Sequence, residues 1–421
     1  MTTRIGQLAQ HLDPRTWSGK GLAAHSVKNE NDVVIVAIGR TPFCKARKGS
    51  LKDTPFDVLL LETFKGMLST SQIDPKLIEE VAVGNVRNEN GAYCVRAAAL
   101  AAGIPNTAPT LVVNRFCSSG LMAVRSVANQ IQAGEIDCGL AVGCESMSNH
   151  AKEEWGYSPE VSGANQEAAD CKMPMGWTSE NVAGDFNISR EKMDAFAARS
   201  HQRAAAAQAS GRFDAEIFPI TVPVSLDGGK GVEKTYATVS KDDGIRANST
   251  PEGLAKIKPA FPQWAPAQTT GGNASQLTDG AAGILLMRRS MAQKLGKPIL
   301  AKYVATAVSG LPPRIMGIGP SLAIPRVLEL TGITKEQVDI FEINEAFASM
   351  AVYCEEKLEI DPEKLNVNGG ACALGHPLGA TGARLVVTAL KELERRQGRV
   401  AVVSMCIGLG MGAAGLFIRE D

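Results

Sequence analysis

Short runs of β-branched and aliphatic residues alternate along the chain with segments whose apolar positions recur at helical spacing. This pattern predicts α/β layers and not a sandwich or a helical bundle. Residues 33–38 predict a buried strand, 57–68 a helix, and 81–86 and 111–114 two further strands. Leu121, Val124, Ala128 and Ile131 then share a helical face until Gly134 supplies a C-cap, and 138–143 form the next strand. The same order recurs at an offset of about 260 residues. It runs as strand 299–307, helix 321–330, strand 338–343, strand 365–368, helix 384–393 and strand 400–404. In that register Asn85 falls opposite Asn344, the turn ending at Cys117 opposite the one ending at Cys372, and Gly143-Cys144 beside Met405-Cys406. Such a repeat places the corresponding strand ends of two halves around one crevice.

Between the halves, residues 148–268 are polar and punctuated by Pro and Gly. They are mostly aperiodic apart from a helix over 190–208 with Ser189 as N-cap. A stretch of this length predicts an inserted subdomain, after which the first half closes with a strand over 281–287. The expected organisation is a leader over 1–30, an N-terminal half over 31–147 and 269–295, an inserted loop domain over 148–268, and a C-terminal half over 296–421.

Composition narrows the function. Lys plus Arg and Asp plus Glu number 44 each, so no bulk field draws the protein to nucleic acid or an anionic membrane, and any anionic ligand must be held locally. The longest apolar run, 280–287, falls short of the roughly 18 residues of a membrane span. The nine cysteines are odd in number and never spaced as zinc ligands, which excludes a disulfide scaffold and a zinc module and predicts no metal. Over residues 1–29 the single acid is Asp13, against Arg4, Arg15, Lys20 and Lys28. Arg4-Ile5 followed by His11-Leu12 resembles the N-terminal peroxisomal targeting nonapeptide, and on a helix these residues share one face suited to an import receptor's groove. A basic, acid-poor leader also suits the mitochondrial matrix, the second expectation.

The chemistry-bearing residues stand at strand ends. In Asn114-Arg115-Phe116-Cys117-Ser118-Ser119-Gly120 a strand gives way to a helix, setting the Cys117 thiol at a helix N-terminus, where the dipole is expected to lower its pKa. Cys406-Ile407-Gly408-Leu409-Gly410 occupies the equivalent turn of the second half, with glycine N–H groups bare and a second thiol able to shuttle a proton. The neighbouring Gly410-Met411-Gly412-Ala413-Ala414-Gly415 spells G-x-G-x-x-G. Too little chain follows for the helix and acidic residue of a dinucleotide site. Gly375-His376-Pro377-Leu378-Gly379 holds one of five histidines in a rigid turn where a base would sit, and Asn344-Glu345-Ala346-Phe347 offers an amide at another strand end.

Taken jointly, in this order and spacing, these four segments resemble the thiolase family from about Val33 to the C-terminus, and with the leader its peroxisomal 3-ketoacyl-CoA branch. The resemblance implies a five-layered αβαβα fold of two similar halves with a loop domain, and a homodimer or a dimer of dimers. It implies that Cys117 attacks the 3-keto carbon of a 3-ketoacyl-CoA, that acetyl-CoA leaves, and that CoA takes the acyl group from the cysteine. His376 would activate the thiols and Cys406 would protonate the departing carbanion. The N–H groups of Cys117 and Gly408 would form one oxyanion hole, and His376 with a water held by Asn344 the other. No cofactor is expected to be tightly bound; CoA is a co-substrate. By the same resemblance, Ala274 and Ser275 of Thr270-Gly271-Gly272-Asn273-Ala274-Ser275 touch pantetheine, Met175 and Phe347 line its tunnel, and Arg246 faces the nucleotide. Gly271, Phe116 and Cys372 depart from the family's commoner Ala, Gln and Ile or Val, which bears on pocket shape and chain length. A biosynthetic acetyltransferase, a decarboxylating ketoacyl synthase and a non-catalytic acyl-CoA-binding protein compete. The leader argues against the first, Cys406-Ile407-Gly408 against the second, and the presence of Cys117, His376 and Cys406 together against the third.

Overall fold

Two helices, Ser119–Ala133 and Leu378–Arg396, pack on each other in the middle of the molecule, in a computed structural model that describes residues 19–149, 156–224 and 235–420. The leader positions Arg4, Ile5, His11 and Leu12 lie outside the described residues. The strands are β1 (Val33–Arg40), β2 (Cys44–Lys45), β3 (Glu80–Gly84), β4 (Thr110–Val113), β5 (Cys138–Glu145), β6 (Ile220–Val224), β7 (Thr235–Val239), β8 (Thr278–Arg288), β9 (Ala301–Gly310), β10 (Ile340–Ile343), β11 (Val400–Ile407) and β12 (Met411–Arg419).

One hydrogen-bonded path runs β10-β11-β12-β9-β1-β8-β5-β3-β4. Its two halves share an order, β4-β3-β5-β8-β1 matching a pairing site at Leu365 followed by β10-β11-β12-β9, and they meet where Val34 pairs with Lys302 and Ile35 with Ala301. Within each half the inner pairs β3/β5 and β10/β11 run parallel and β8 or β12 returns antiparallel.

The cores account for the layering. One cluster joins both central helices to residues of both sheet halves, among them Ile35, Ala141, Ile284, Ile340, Val403 and Phe417. A second covers the outer face of the first half with helices Phe56–Ser71 and Gly91–Ala101, and a third covers the second half with Gly319–Thr331 and Ala348–Leu358. The result is α, β, α, β, α in five layers. Because helices cover both faces, every residue of β1, β5 and β11 is buried, which is why these strands read as continuous apolar runs in the sequence.

The structure corrects two sequence expectations and adds two elements. Residues 365–368 form no strand; Leu365 alone bridges to Phe341, and the Asn366 side chain replaces the ladder by donating to Ile343 O (2.8 Å) and accepting from Ile343 N (2.8 Å). The strand expected over 81–86 stops at Gly84. The G-x-G-x-x-G spelling at 410–415 is, as expected, no dinucleotide loop: it opens β12, whose Gly412 lies against Gly319. Helix Gly91–Ala101 is a further element that the sequence reading left out. Chain between β5 and β8 leaves the sheet and returns; beyond helix Arg190–Ala209, capped by Ser189 as expected, it carries helix Met175–Asp185 and the antiparallel pair β6/β7.

Candidate active site

Three strand ends and one helix-leading turn meet here. Cys117 follows β4, Asn344 follows β10, Cys406 is the last residue but one of β11, and His376 sits in the turn before helix Leu378–Arg396. All four are buried, whereas Phe116, Ala274, Ser275 and Phe347 are half-buried and Met175 is exposed, so access increases outward from the thiols.

The turn carrying Cys117 is tied by its neighbours. Asn114 Oδ1 accepts from Phe116 N (3.0 Å), Ser119 Oγ accepts from Arg115 N (2.9 Å), and Ser119 N donates to Phe116 O (2.9 Å). Phe116 is held at φ 46, a left-handed conformation that a bulky residue adopts only when its surroundings impose it. Two N–H groups, those of Gly408 and of Cys117 itself, stand close enough to the Cys117 sulfur to favour its thiolate. The expectation of a lowered thiol pKa is overturned. Burial outweighs both N–H groups and pushes Cys117 up to about 11, because desolvation of the thiolate is a tertiary effect that a helix-end argument leaves out. Cys406 is pushed well above the usual thiol range by burial, and then by the nearby Cys117 and Cys354.

His376 is fixed on both nitrogens. Nδ1 lies 2.6 Å from Thr381 Oγ1, and that hydroxyl donates its single proton to Pro377 O (3.0 Å). Nδ1–H is therefore the donor to Thr381, and Nε2 carries the lone pair, facing Asn344 Nδ2 at 3.3 Å. Burial, and secondarily the Arg384 charge, takes the imidazole down to about 3, so it stays neutral at working pH. Asn344 Oδ1 is buried with no partner among the described residues, an acceptor whose desolvation is offset only when a water or ligand group donates to it.

Glycine lets the two halves close over this site. A Cβ on Gly379 would stand 2.6 Å from Gly84 O and 2.9 Å from Cys144 O, so only a bare backbone allows the His376 turn to dock on the ends of β3 and β5. Gly379 N donates to Glu145 Oε2 (2.9 Å), and Glu145 also accepts from Val86 N and Arg87 N (3.1 Å each) and Asn85 Nδ2 (3.0 Å). Gly120, the second residue of helix Ser119–Ala133, lies as tightly against Gly379 O and Ala383 N.

The outer residues also gather. Ala274 bridges antiparallel to Phe347, Ser275 N donates to Ala346 O (3.0 Å), and His376 N donates to Gln276 O (3.0 Å), so the 270–275 run is stitched to the site. Met175 Sδ and the Phe116 ring flank Gly408. Arg246 stands apart: it is exposed, and its N–H donates to His201 Nδ1 (3.1 Å) in the segment between the halves. Thr381, Glu145 and Gln276 went unread in the sequence. Thr381 is five residues beyond His376 and one turn into its helix, and that spacing is the one local signal that could have found it. Thr381→Val should leave Nδ1–H without an acceptor, a cost of about 1–3 kcal/mol. If the cost falls on the transition state, kcat drops about 10- to 100-fold with KM and melting temperature little changed. Steady-state kinetics with a thermal melt checks this.

A neutral imidazole and two protonated thiols set around a pair of converging N–H groups form a centre for acyl transfer through a cysteine, with a second thiol placed to move a proton. The chain belongs to the thiolase family: residues 33–290 match the thiolase N-terminal domain and residues 297–419 the thiolase C-terminal domain. It is 52% identical over 420 residues to the peroxisomal 3-ketoacyl-CoA thiolase of Yarrowia lipolytica, covering 99% of this chain and 100% of the relative. Among solved structures, the dimeric peroxisomal thiolase of Saccharomyces cerevisiae superposes with a TM-score of 0.86 at 49% identity, covering 94% of this chain and 99% of that one. Human mitochondrial 3-ketoacyl-CoA thiolase in complex with CoA superposes at 0.81 and 34% identity, covering 93% and 99%.

Proposed function

We propose that the chain catalyses CoA-dependent thiolytic cleavage of a 3-ketoacyl-CoA to acetyl-CoA and an acyl-CoA two carbons shorter, the chain-shortening step of fatty acid β-oxidation. It is an acetyl-CoA C-acyltransferase, and CoA is its co-substrate. The observation that carries this reading is the convergence of the Gly408 and Cys117 N–H groups on one buried sulfur, with a second buried thiol alongside.

His376 Nε2 takes the Cys117 proton as sulfur attacks the 3-keto carbon, and the oxygen gathers charge. The C2–C3 bond breaks, its electron pair passes to C2, and the Cys406 thiol protonates that carbon, releasing acetyl-CoA. CoA then gives its thiol proton to the site's bases, attacks the acyl-cysteine and expels Cys117, which is reprotonated. The two N–H groups at Cys117 support an oxyanion hole there, and the unpartnered Asn344 Oδ1 beside His376 supports a second hole built from His376 and an Asn344-held water. Ala274, Ser275, Met175 and Phe347 take the pantetheine arm at the half-exposed mouth, and exposed Arg246, in the loop domain of residues 148–268, takes the nucleotide end.

The protein acts as a homodimer in the peroxisome, with Arg4, Ile5, His11 and Leu12 read by an import receptor. The half-exposed edge strand β4, with Leu111 on it and Tyr93 and Leu100 exposed on the helix packed beside it, supplies an apolar face for the second copy.

The deciding assay follows CoA-dependent loss of 3-ketoacyl-CoA absorbance over short, medium and long acyl chains, with product masses and a Cys117→Ala control. Acetyl-CoA plus a shortened acyl-CoA, absent in the variant, is expected. No turnover at any length with CoA still bound overturns the reading in favour of a binding protein.

A further inference from the structure

The interior below the site holds an ion pair whose charges burial opposes, pushing the Glu342 carboxyl up and the Arg384 guanidinium down. Arg384 Nη1 donates to Glu342 Oε2 at 3.2 Å, and both side chains are wholly buried. Among the described residues, Glu342 Oε1 and Arg384 Nε and Nη2 have no partner. A buried pair commonly contributes no more stability than apolar residues of the same volume, and incompletely satisfied members add a desolvation cost. Stability therefore does not explain its presence.

Its position offers a reason. Strand residues two apart share a face, so Glu342 lies on the same face of β10 as the site of Asn344, the face on which Ile340 enters the central core; Phe341 and Ile343 enter the outer one. Residues three apart on a helix also share a face, so Arg384 lies one turn below Thr381, which holds His376. The hydrogen bond between Asn344 and His376, from the end of β10 to the turn that leads into helix Leu378–Arg396, and the ion pair between Glu342 and Arg384, from β10 to that helix, are successive rungs. The lower rung is anchored further. Thr388, one turn below Arg384, donates to Glu216 Oε1 (3.4 Å), which accepts from Arg40 Nε (2.7 Å), and Arg40 forks onto Asp242 (2.7 and 2.8 Å).

We propose that Glu342 and Arg384 are positioning residues, whose ion pair fixes the separation of β10 and helix Leu378–Arg396 and so the distance between Asn344 and His376. The proposal rests on the roles given above to those two residues. A clamp of this kind acts on transition-state geometry and leaves ground-state binding of CoA at the distant mouth unchanged. The Arg384 charge also opposes protonation of His376.

Two variants of the full-length protein test it, with parent and Cys117→Ala as controls. Glu342→Met/Arg384→Met removes both charges together and strands neither. It is expected to melt within about 3 °C of the parent, to keep both KM values within about twofold, and to lose about 30-fold in kcat. Glu342→Asp keeps the charge and shortens the arm by one methylene, with an expected loss of about 10-fold in kcat at unchanged KM. Parental kcat in either folded variant overturns the proposal, as does a loss in which kcat falls only in step with melting temperature. Should the double variant not fold, Glu342→Asp decides alone. A parent that does not turn over the substrate refutes the catalytic reading instead, so the two failures are distinguishable.

Discussion

His376→Ala is expected to lower kcat for thiolysis by about 10³-fold while the protein remains folded and binds CoA. The size follows from the resting protonation states. Burial takes the imidazole down to about 3 and the Cys117 thiol up to about 11, so the pair rests as neutral base and neutral thiol, not as an ion pair. The nucleophile therefore forms only as the proton moves, and without Nε2 no positioned acceptor takes it. Folding is spared because Thr381 keeps its bond to Pro377 O and the turn stays docked through Gly379. The sign of the pH dependence follows from the same shifts. A base with a depressed pKa stays active until pH falls toward about 3, and a thiol with a raised one stays protonated until pH approaches about 11. The parent's kcat/KM should then be level from about pH 5 to about pH 9, with no inflexion near the usual histidine value of 6.5. His376→Ala should instead rise with pH, about tenfold per unit, as free thiolate replaces base-assisted attack. An inflexion near 6.5 in the parent, or a variant within tenfold of it, would remove His376 from the proton path.

Much of this arrangement was legible because the two helix-covered sheet halves force their inner strands to be apolar throughout, and because strand ends with Cys, Asn and glycine-flanked His are conspicuous against such runs. What stayed hidden has physical causes. β12 opens on Met411-Gly412-Ala413-Ala414-Gly415, where Gly412 must pass Gly319 closely, and small residues carry little strand signal. Residues 365–368 look like a strand, but Asn366 turns to φ 44 and satisfies Ile343 with its side chain. The Cys117 shift was misread since the local helix end is visible in sequence and the burial around it is not. Glu145, Thr381, Glu342 and Arg384 are polar residues inside apolar elements, and their partners lie far along the chain or across the helix turn, where periodicity gives no warning.

Cys406→Ala is expected to separate the two halves of the reaction, and more sharply than His376→Ala. In the proposed sequence Cys117 and the N–H groups of Cys117 and Gly408 handle the acyl group, whereas Cys406 alone exchanges a proton with C2 of acetyl-CoA. Exchange of the acetyl-CoA methyl hydrogens with D₂O, read by mass spectrometry, should thus fall by about 10³-fold or more. Acylation of Cys117 by an acyl-CoA, which makes and breaks no bond to C2, should persist within about tenfold of the parent. The substitution deletes one sulfur from a cluster made of Val182, Met316, Ile318, Ala346 and Met350, and a small cavity there costs on the order of 1–2 kcal/mol, which a thermal melt should register and the acylation rate should not. The raised proton affinity of Cys406 matters to the outcome. A thiol that burial and the neighbouring Cys117 and Cys354 keep protonated is an acid that holds its proton against water and is present to yield it to a carbanion. Loss of acylation and exchange together would assign Cys406 to the acyl-transfer step; retention of exchange would assign C2 protonation to another group, with His376 the nearest alternative.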